Sequence, residues 1–174
     1  MDNVQISAMT FEDLELIKDI LFTDFDDFWN YSTFKSELEN LNSKYIVAKI
    51  ENKIIGFAGI WKAVDIIHIT NIVTLKNLRN HGIGSLMLEK LIELAKKDKN
   101  ITSITLEVNS NNIPAQKLYQ KFGFKTVGLR KKYYNNKDDA LLMSKQLHMM
   151  KGETNEKKWT KLQTIKKLLQ SKYF

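Results

Sequence analysis

Hydrophobic and polar positions follow two rhythms along this chain, and their order lays out its elements. Val4 to Ala8 alternates with a period of two and predicts a first strand. Phe11, Leu14, Ile17, Ile20 and Leu21 then keep the 3.6 period of a helix, with Thr10 placed as N-cap and Asp13 three residues on. Asp24 to Asn30 breaks the pattern with acidic and aromatic residues, among them Phe25, Phe28 and Trp29. Ser32 is placed to cap a second short helix carrying Phe34, Leu38 and Leu41. Three strand-like runs follow: Tyr45 to Ile50, Ile54 to Trp61 across a Glu51-Asn52-Lys53 turn, and Asp65 to Thr74.

A loop from Lys76 to Gly82 opens into a helix marked by Ile83, Leu86, Met87, Leu91, Leu94 and Ala95. Ile101 to Val108 predicts another strand, with Ile104, Leu106 and Val108 on one face and Thr105 and Glu107 on the other. Asn111 or Asn112 caps a helix beginning near Pro114, with Ala115, Leu118, Tyr119 and Phe122 as its stripe and Gly123 as its stop. Lys125–Tyr133 and Ala140–Leu147 then read as a hairpin across residues 135–138. The order predicts an α/β (α+β) fold in which most strands neighbour each other in sequence.

Beyond residue 150 the rhythm is helical again, with Trp159, Leu162, Ile165, Leu168 and Leu169 spaced by lysines. This segment changes the meaning of the overall charge. The 174 residues carry a formal +7, but residues 151–174 hold seven lysines against two glutamates, leaving residues 1–150 nearly neutral at +2. The reading is therefore a domain over 1–150 and a basic amphipathic extension over 151–174, rather than a basic nucleic-acid-binding domain. The extension fits an amphipathic helix packed on the domain or on a second copy. A surface for RNA, an acidic protein or a membrane also fits, as does a frayed tail.

Composition narrows the chemistry. The absence of cysteine excludes disulfides, thiolate metal sites and a cysteine-linked acyl intermediate. His68, His81 and His148 stand apart with no ligand spacing, so no metal is expected. No apolar run approaches the ~20 residues of a membrane helix. Met1 to Met9 carries an acid and no base, unlike a targeting segment, so the expected location is cytoplasmic.

Two segments carry candidate chemistry. Arg79-Asn80-His81-Gly82-Ile83-Gly84-Ser85 lies between a strand and a helix. Its glycines permit close backbone approach, and the unpaired N–H groups of a first helical turn suit a pyrophosphate. The same pattern also fits a plain strand–helix turn, since neither a G-K-[ST] nor a third glycine is present. The second segment is Leu106-Glu107-Val108-Asn109-Ser110-Asn111-Asn112, running into Pro114 to Tyr119 and Phe122-Gly123-Phe124. Taken singly, Glu107 fits a solvated strand residue as well as a base, and Tyr119 fits a core tyrosine.

Together and in this order, these segments resemble the GNAT superfamily of N-acetyltransferases. Phe28-Trp29, Asn71-Ile72-Val73, the Leu-Glu-Val run and Arg130-Lys131-Lys132-Tyr133-Tyr134 followed by Asp139 to Met143 narrow the likeness to the bacterial ribosomal-protein-alanine N-acetyltransferase family, over about residues 3–147. The resemblance implies a mixed, mostly antiparallel twisted sheet flanked by helices, with acetyl-coenzyme A as cosubstrate. It implies that Ile72, Val73 and Thr74 hold the pantetheine arm and polarise the thioester where two strands splay. It further implies that Arg79, Asn80, His81, Gly82, Ile83, Gly84 and Ser85 cradle the pyrophosphate, with Asn112 touching the cofactor. Glu107 takes the place of general base and Tyr119 of general acid, while Trp29, Tyr133 and Tyr134 wall the acceptor. That acceptor is implied to be the N-terminal amine of a ribosomal protein. A polyamine, an aminoglycoside or a lysine side chain remains open as acceptor, as does a coenzyme A-binding module that docks on RNA. Asn80 and Asn109 stand where the family pattern has basic residues.

Overall fold

A computed structural model describes residues 3–21, 23–24, 30–134, 136–148 and 160. Strand β1 (Gln5–Ala8) leads into helix α1 (Phe11–Ile17), which starts with the expected capping box. The Thr10 hydroxyl accepts from the Asp13 N–H at 3.1 Å, and the Asp13 carboxylate accepts from the Thr10 N–H at 2.9 Å. Helix α2 (Tyr31–Glu39) is capped by Asn30, not by Ser32. Asn30 Oδ1 accepts from the Thr33 N–H at 2.9 Å and from the Ser32 hydroxyl at 2.7 Å, so the serine is used up as a donor to the true cap. Leu41 falls beyond the end of α2 and is 99% exposed, so it does not belong to the predicted stripe.

Strands β2 (Ser43–Ile50), β3 (Lys53–Ala63) and β4 (Ile66–Thr74) form a meander. Helix α3 (Ile83–Lys96), strand β5 (Ser103–Asn109), helix α4 (Ile113–Lys121) and the β6 (Lys125–Tyr134)–β7 (Asp138–Gln146) hairpin follow. β5 starts two residues later than its periodicity predicts. Thr102 is diverted to Asp65, its N–H donating to the Asp65 carbonyl at 2.8 Å and its hydroxyl to the carboxylate at 3.0 Å. Asn112, not Asn111, caps α4.

The seven described strands run in the order β1-β2-β3-β4-β5-β7-β6. Every adjacent pair is antiparallel except β4–β5, which is parallel because α3 crosses over between them. Phe34 of α2 packs edge-on against Tyr45 and Phe57, at 5.7 and 5.2 Å between centroids, which places α2 on the face those residues share. Met87 of α3 lies against Gly56, on the opposite face. The sheet is thus flanked by helices on both faces, as the resemblance implied. No described helix is long and apolar enough to cross a membrane.

The feature that positions the site is an irregularity in β4. Asn71 pairs with Gly59, but Ile69 pairs with Ile60, so Thr70 is an extra residue in the ladder. The Tyr45 hydroxyl bonds the Thr70 hydroxyl at 3.0 Å across Gly59, where an added Cβ would sit 2.1 Å from the tyrosine ring. Such a bulge bends the strand that carries it. The β4–β5 register accordingly ends at Ile69↔Leu106, and residues 71–74 pair with β3 alone. They are half-buried, whereas Ile66 to Ile69 are buried.

Candidate active site

The end of β4–β5 pairing leaves backbone groups without ladder partners. The Leu75 N–H donates to the Ile55 carbonyl at 3.0 Å, so Leu75 faces β3. Strand alternation then turns Val73 toward β3 as well, and turns the N–H and C=O groups of Ile72 and Thr74 toward the gap beside β5. Of the three residues expected to hold the pantetheine arm, two turn backbone donors toward the opening and one is committed to the sheet.

Just past this opening, Leu75 to Ser85 forms the glycine loop. A 3-10 turn at Lys76–Leu78 is followed by Asn80 at φ +65° and Gly82 at φ +78°. Both lie in the left-handed region that asparagine and glycine tolerate best. That conformation gives a physical reason for asparagine at position 80, where the family pattern has a base. The His81 ring also acts locally: Nδ1 donates to the Arg79 carbonyl at 2.8 Å and closes the loop. Gly82 is the N-cap of α3 and brings no side-chain cap, and the first hydrogen bond from the helix to the cap is Leu86 N–H to Gly82 C=O at 3.1 Å. The N–H groups of Ile83, Gly84 and Ser85 therefore remain open at the positive end of a 14-residue helix, a cradle that fits a pyrophosphate. A Cβ at Gly84 would meet Leu118 at 3.4 Å, an ordinary contact that places α4 beside α3. Asn112 lies at the start of α4, its Oδ1 accepting from the Ala115 N–H at 3.1 Å.

Glu107 is the first residue of β5 without a partner in β4. It is not solvated: its side chain is 6% exposed. Its Oε1 accepts from Arg130 Nη1 at 2.7 Å, and the Arg130 side chain is itself only 8% exposed. The Arg130 guanidinium lies 4.1 Å from the centre of the Tyr133 ring. Tyr134 packs edge-on against Tyr133 at 4.9 Å, and its hydroxyl donates to the Glu107 carbonyl at 3.4 Å. Burial and the negative charge and hydrogen bond of Glu107 push the Tyr133 phenol up, and burial pushes up that of Tyr134. Tyr133 and Tyr134 thus sit around the carboxylate. Trp29, the third residue expected to wall the acceptor, lies outside the described residues, as do Phe28 and the extension over 151–174 apart from Thr160.

Tyr119 lies on α4, beside α3 and so across the sheet from Glu107. Its ring is buried and packs edge-on on Phe124 at 5.9 Å, which agrees with the core reading of this residue. Burial pushes its phenol up to about 12. Base and acid candidates therefore lie on opposite faces of the sheet. Arg130 was not singled out from the sequence, because in Arg130-Lys131-Lys132 it looks like one more solvated cation. Its only local signal is alternation, which puts it on the face opposite Leu129.

Comparisons with known proteins bear on the family and the fold. The acetyltransferase (GNAT) family profile matches residues 14–124. A Bacillus subtilis protein provisionally named a ribosomal protein bS18-alanine N-acetyltransferase is 36% identical over 140 residues, covering 79% of this chain and 92% of its own. An N-alpha-acetyltransferase from Sulfolobus acidocaldarius is 29% identical over 154 residues, covering 82% and 92%. The crystal structure of the Escherichia coli ribosomal-protein-alanine N-acetyltransferase superposes with a TM-score of 0.76 at 25% identity, covering 87% of this chain and 98% of that one.

Proposed function

The chain belongs to the GNAT acetyltransferase family and is an acetyl-coenzyme A-dependent N-acetyltransferase; from that premise we propose that it acetylates the N-terminal amine of a ribosomal protein that begins with alanine. The relatives from Bacillus subtilis and Haemophilus influenzae carry that activity in their names. The observation that supports it in this chain is the place of Glu107, a buried carboxylate at the point where β5 parts from β4.

An N-terminal amine has an ordinary pKa of ~7.7–8.0, so much of it must lose a proton before it can attack. Glu107 takes that proton, directly or through one water. Acetyl-coenzyme A supplies an acyl group activated as a thioester. The open N–H groups of α3 hold its pyrophosphate, and the Ile72 and Thr74 backbones line the path of its acyl arm. Their N–H groups face the negative charge that develops on the carbonyl oxygen. Tyr119, whose phenol is pushed up to about 12, stays protonated through neutral pH and gives its proton to the departing sulfur. Tyr133 and Tyr134 wall the amine. With no cysteine in the chain, transfer is direct within a ternary complex. Residues 1–150 are sufficient for this chemistry, and the basic residues 151–174 serve contacts outside it.

The test is an acetylation panel: peptides with alanine, serine, methionine and lysine at the first position, a peptide blocked at its N-terminus with an internal lysine, and free polyamines. The alanine peptide is expected to be the best substrate. Activity confined to polyamines or to the blocked peptide overturns the reading.

A further inference from the structure

Arg130 has no role in the reading above, yet among the described residues it is the cation that pairs with Glu107, and its route to that residue is unusual. Arg130 lies on β6, two strands from β5. Ala140 of β7 pairs with Arg130 on one side and with Asn109 of β5 on the other. Cross-strand partners share a face, and Asn109 shares its face with Glu107. The arginine therefore reaches its carboxylate by crossing above Ala140, which is fully buried. A larger side chain at 140 would stand in that path.

The end of β6 is shaped around this contact. The β6–β7 register slips between Arg130 and Tyr134, and Lys132 takes φ +53° with its N–H bonded to the Asp139 carboxylate at 2.8 Å. The slip folds Tyr133 back under the guanidinium, so one face of the cation meets a ring while Nη1 meets Glu107. A guanidinium held from two sides has few orientations left. The carboxylate it grips is held equally firmly, and the cation offsets what burial costs the carboxylate charge.

We propose that Arg130 is a positioning residue for catalysis: crossing Ala140 and stacked on Tyr133, it holds the Glu107 carboxylate aimed at the amine. This rests on Glu107 being the base. Arg130 touches neither the amine nor the cosubstrate in this arrangement; it acts through Glu107.

The experiment is a double-mutant cycle with E107Q, R130M and E107Q/R130M, assayed on the alanine peptide, with coenzyme A affinity measured by calorimetry. R130M is expected to lose at least ~10-fold in kcat, part of the ~10²–10⁴-fold that a general base contributes. Peptide KM and coenzyme A affinity should move less than about threefold. The double variant should be no more than about twofold slower than E107Q, because the arginine has nothing left to position. R130K should recover part of the loss. Independent, multiplicative losses in the cycle, or parental kcat in R130M, overturn the proposal. Parental kcat in E107Q sinks the base assignment itself, a separate failure. Should R130M not fold, A140L keeps both charged residues and obstructs only the route between them. It is expected to slow wild-type Glu107 but not E107Q, and equal slowing of both overturns the proposal.

Discussion

Two carboxylates in this protein are almost equally hidden, and they stand in different surroundings. The Asp13 side chain is 4% exposed and the Glu107 side chain 6%. Asp13 is saturated by its surroundings: Oδ2 takes the Thr10 N–H, and Oδ1 takes the Lys49 ammonium of β2 at 2.5 Å. Burial pushes its pKa up, but the hydrogen bond from Lys49 and those from Thr10 outweigh it, and the group is held below its usual 3.8. It fastens the start of α1 to the sheet. Glu107 also has a cation, but its partners all come from one folded strand end, Arg130 to Tyr134, and it stands where β5 has lost β4. Burial and pairing do not by themselves mark a carboxylate as a candidate base. What separates the two is an adjacent opening lined by unpaired backbone donors.

The sharpest way to break this contrast is to neutralise each carboxylate without changing its shape. Glu107→Gln should cost roughly 10²–10⁴ in kcat, while its amide oxygen still accepts from Arg130 and unfolding by denaturant shifts only modestly. Parental turnover would put the two carboxylates in the same structural class. Next in size is the phosphate cradle. Gly82→Val forces a β-branched residue into φ +78°, a conformation costing about 1–3 kcal/mol, and coenzyme A binding by calorimetry should weaken at least about tenfold. Unchanged affinity would remove α3 from the cofactor site.

Tyr119→Phe tests the other face of the sheet. Turnover should fall on the order of tenfold or more, with coenzyme A affinity kept. A compensating rise in KM with kcat unchanged would reassign the hydroxyl to binding. The smallest effect on catalysis is expected at the counterpart residue. Asp13→Asn should leave kcat within error and lower stability by about 1–3 kcal/mol. The sign of its pH dependence follows from its depressed pKa. The stabilisation is complete above the usual value of 3.8, and it is lost as the pH falls through the lower folded value. The stability gap between parent and variant should therefore close in acid. A gap that stays constant would mean that the charge of Asp13 contributes nothing.

Local signals carried much of this picture. The Thr10–Asp13 box, the α4 cap beside Pro114, the glycine loop and the facing of Glu107 against Leu106 all depend on neighbours within a few residues, and each appears where the sequence puts it. Where two good caps competed, Asn30 prevailed over Ser32, which composition alone does not decide. The bulge at Thr70 and the arginine at Glu107 were not legible. One depends on Tyr45, Gly59 and Thr70 meeting across three strands. The other depends on a side chain crossing a strand that comes later in the sequence. Neither leaves a periodic trace.

The tyrosine laid across Gly59 has a consequence for how binding energy is used. The opening between β4 and β5 begins beside a bulge seated in ordinary core packing on the α2 side, away from the glycine loop. An acyl chain entering it need not prise strands apart or order a loop, so little of its affinity is spent on reshaping the protein. Sensitivity to mutation should accordingly extend well away from the reacting atoms, to a glycine whose only task is to be small.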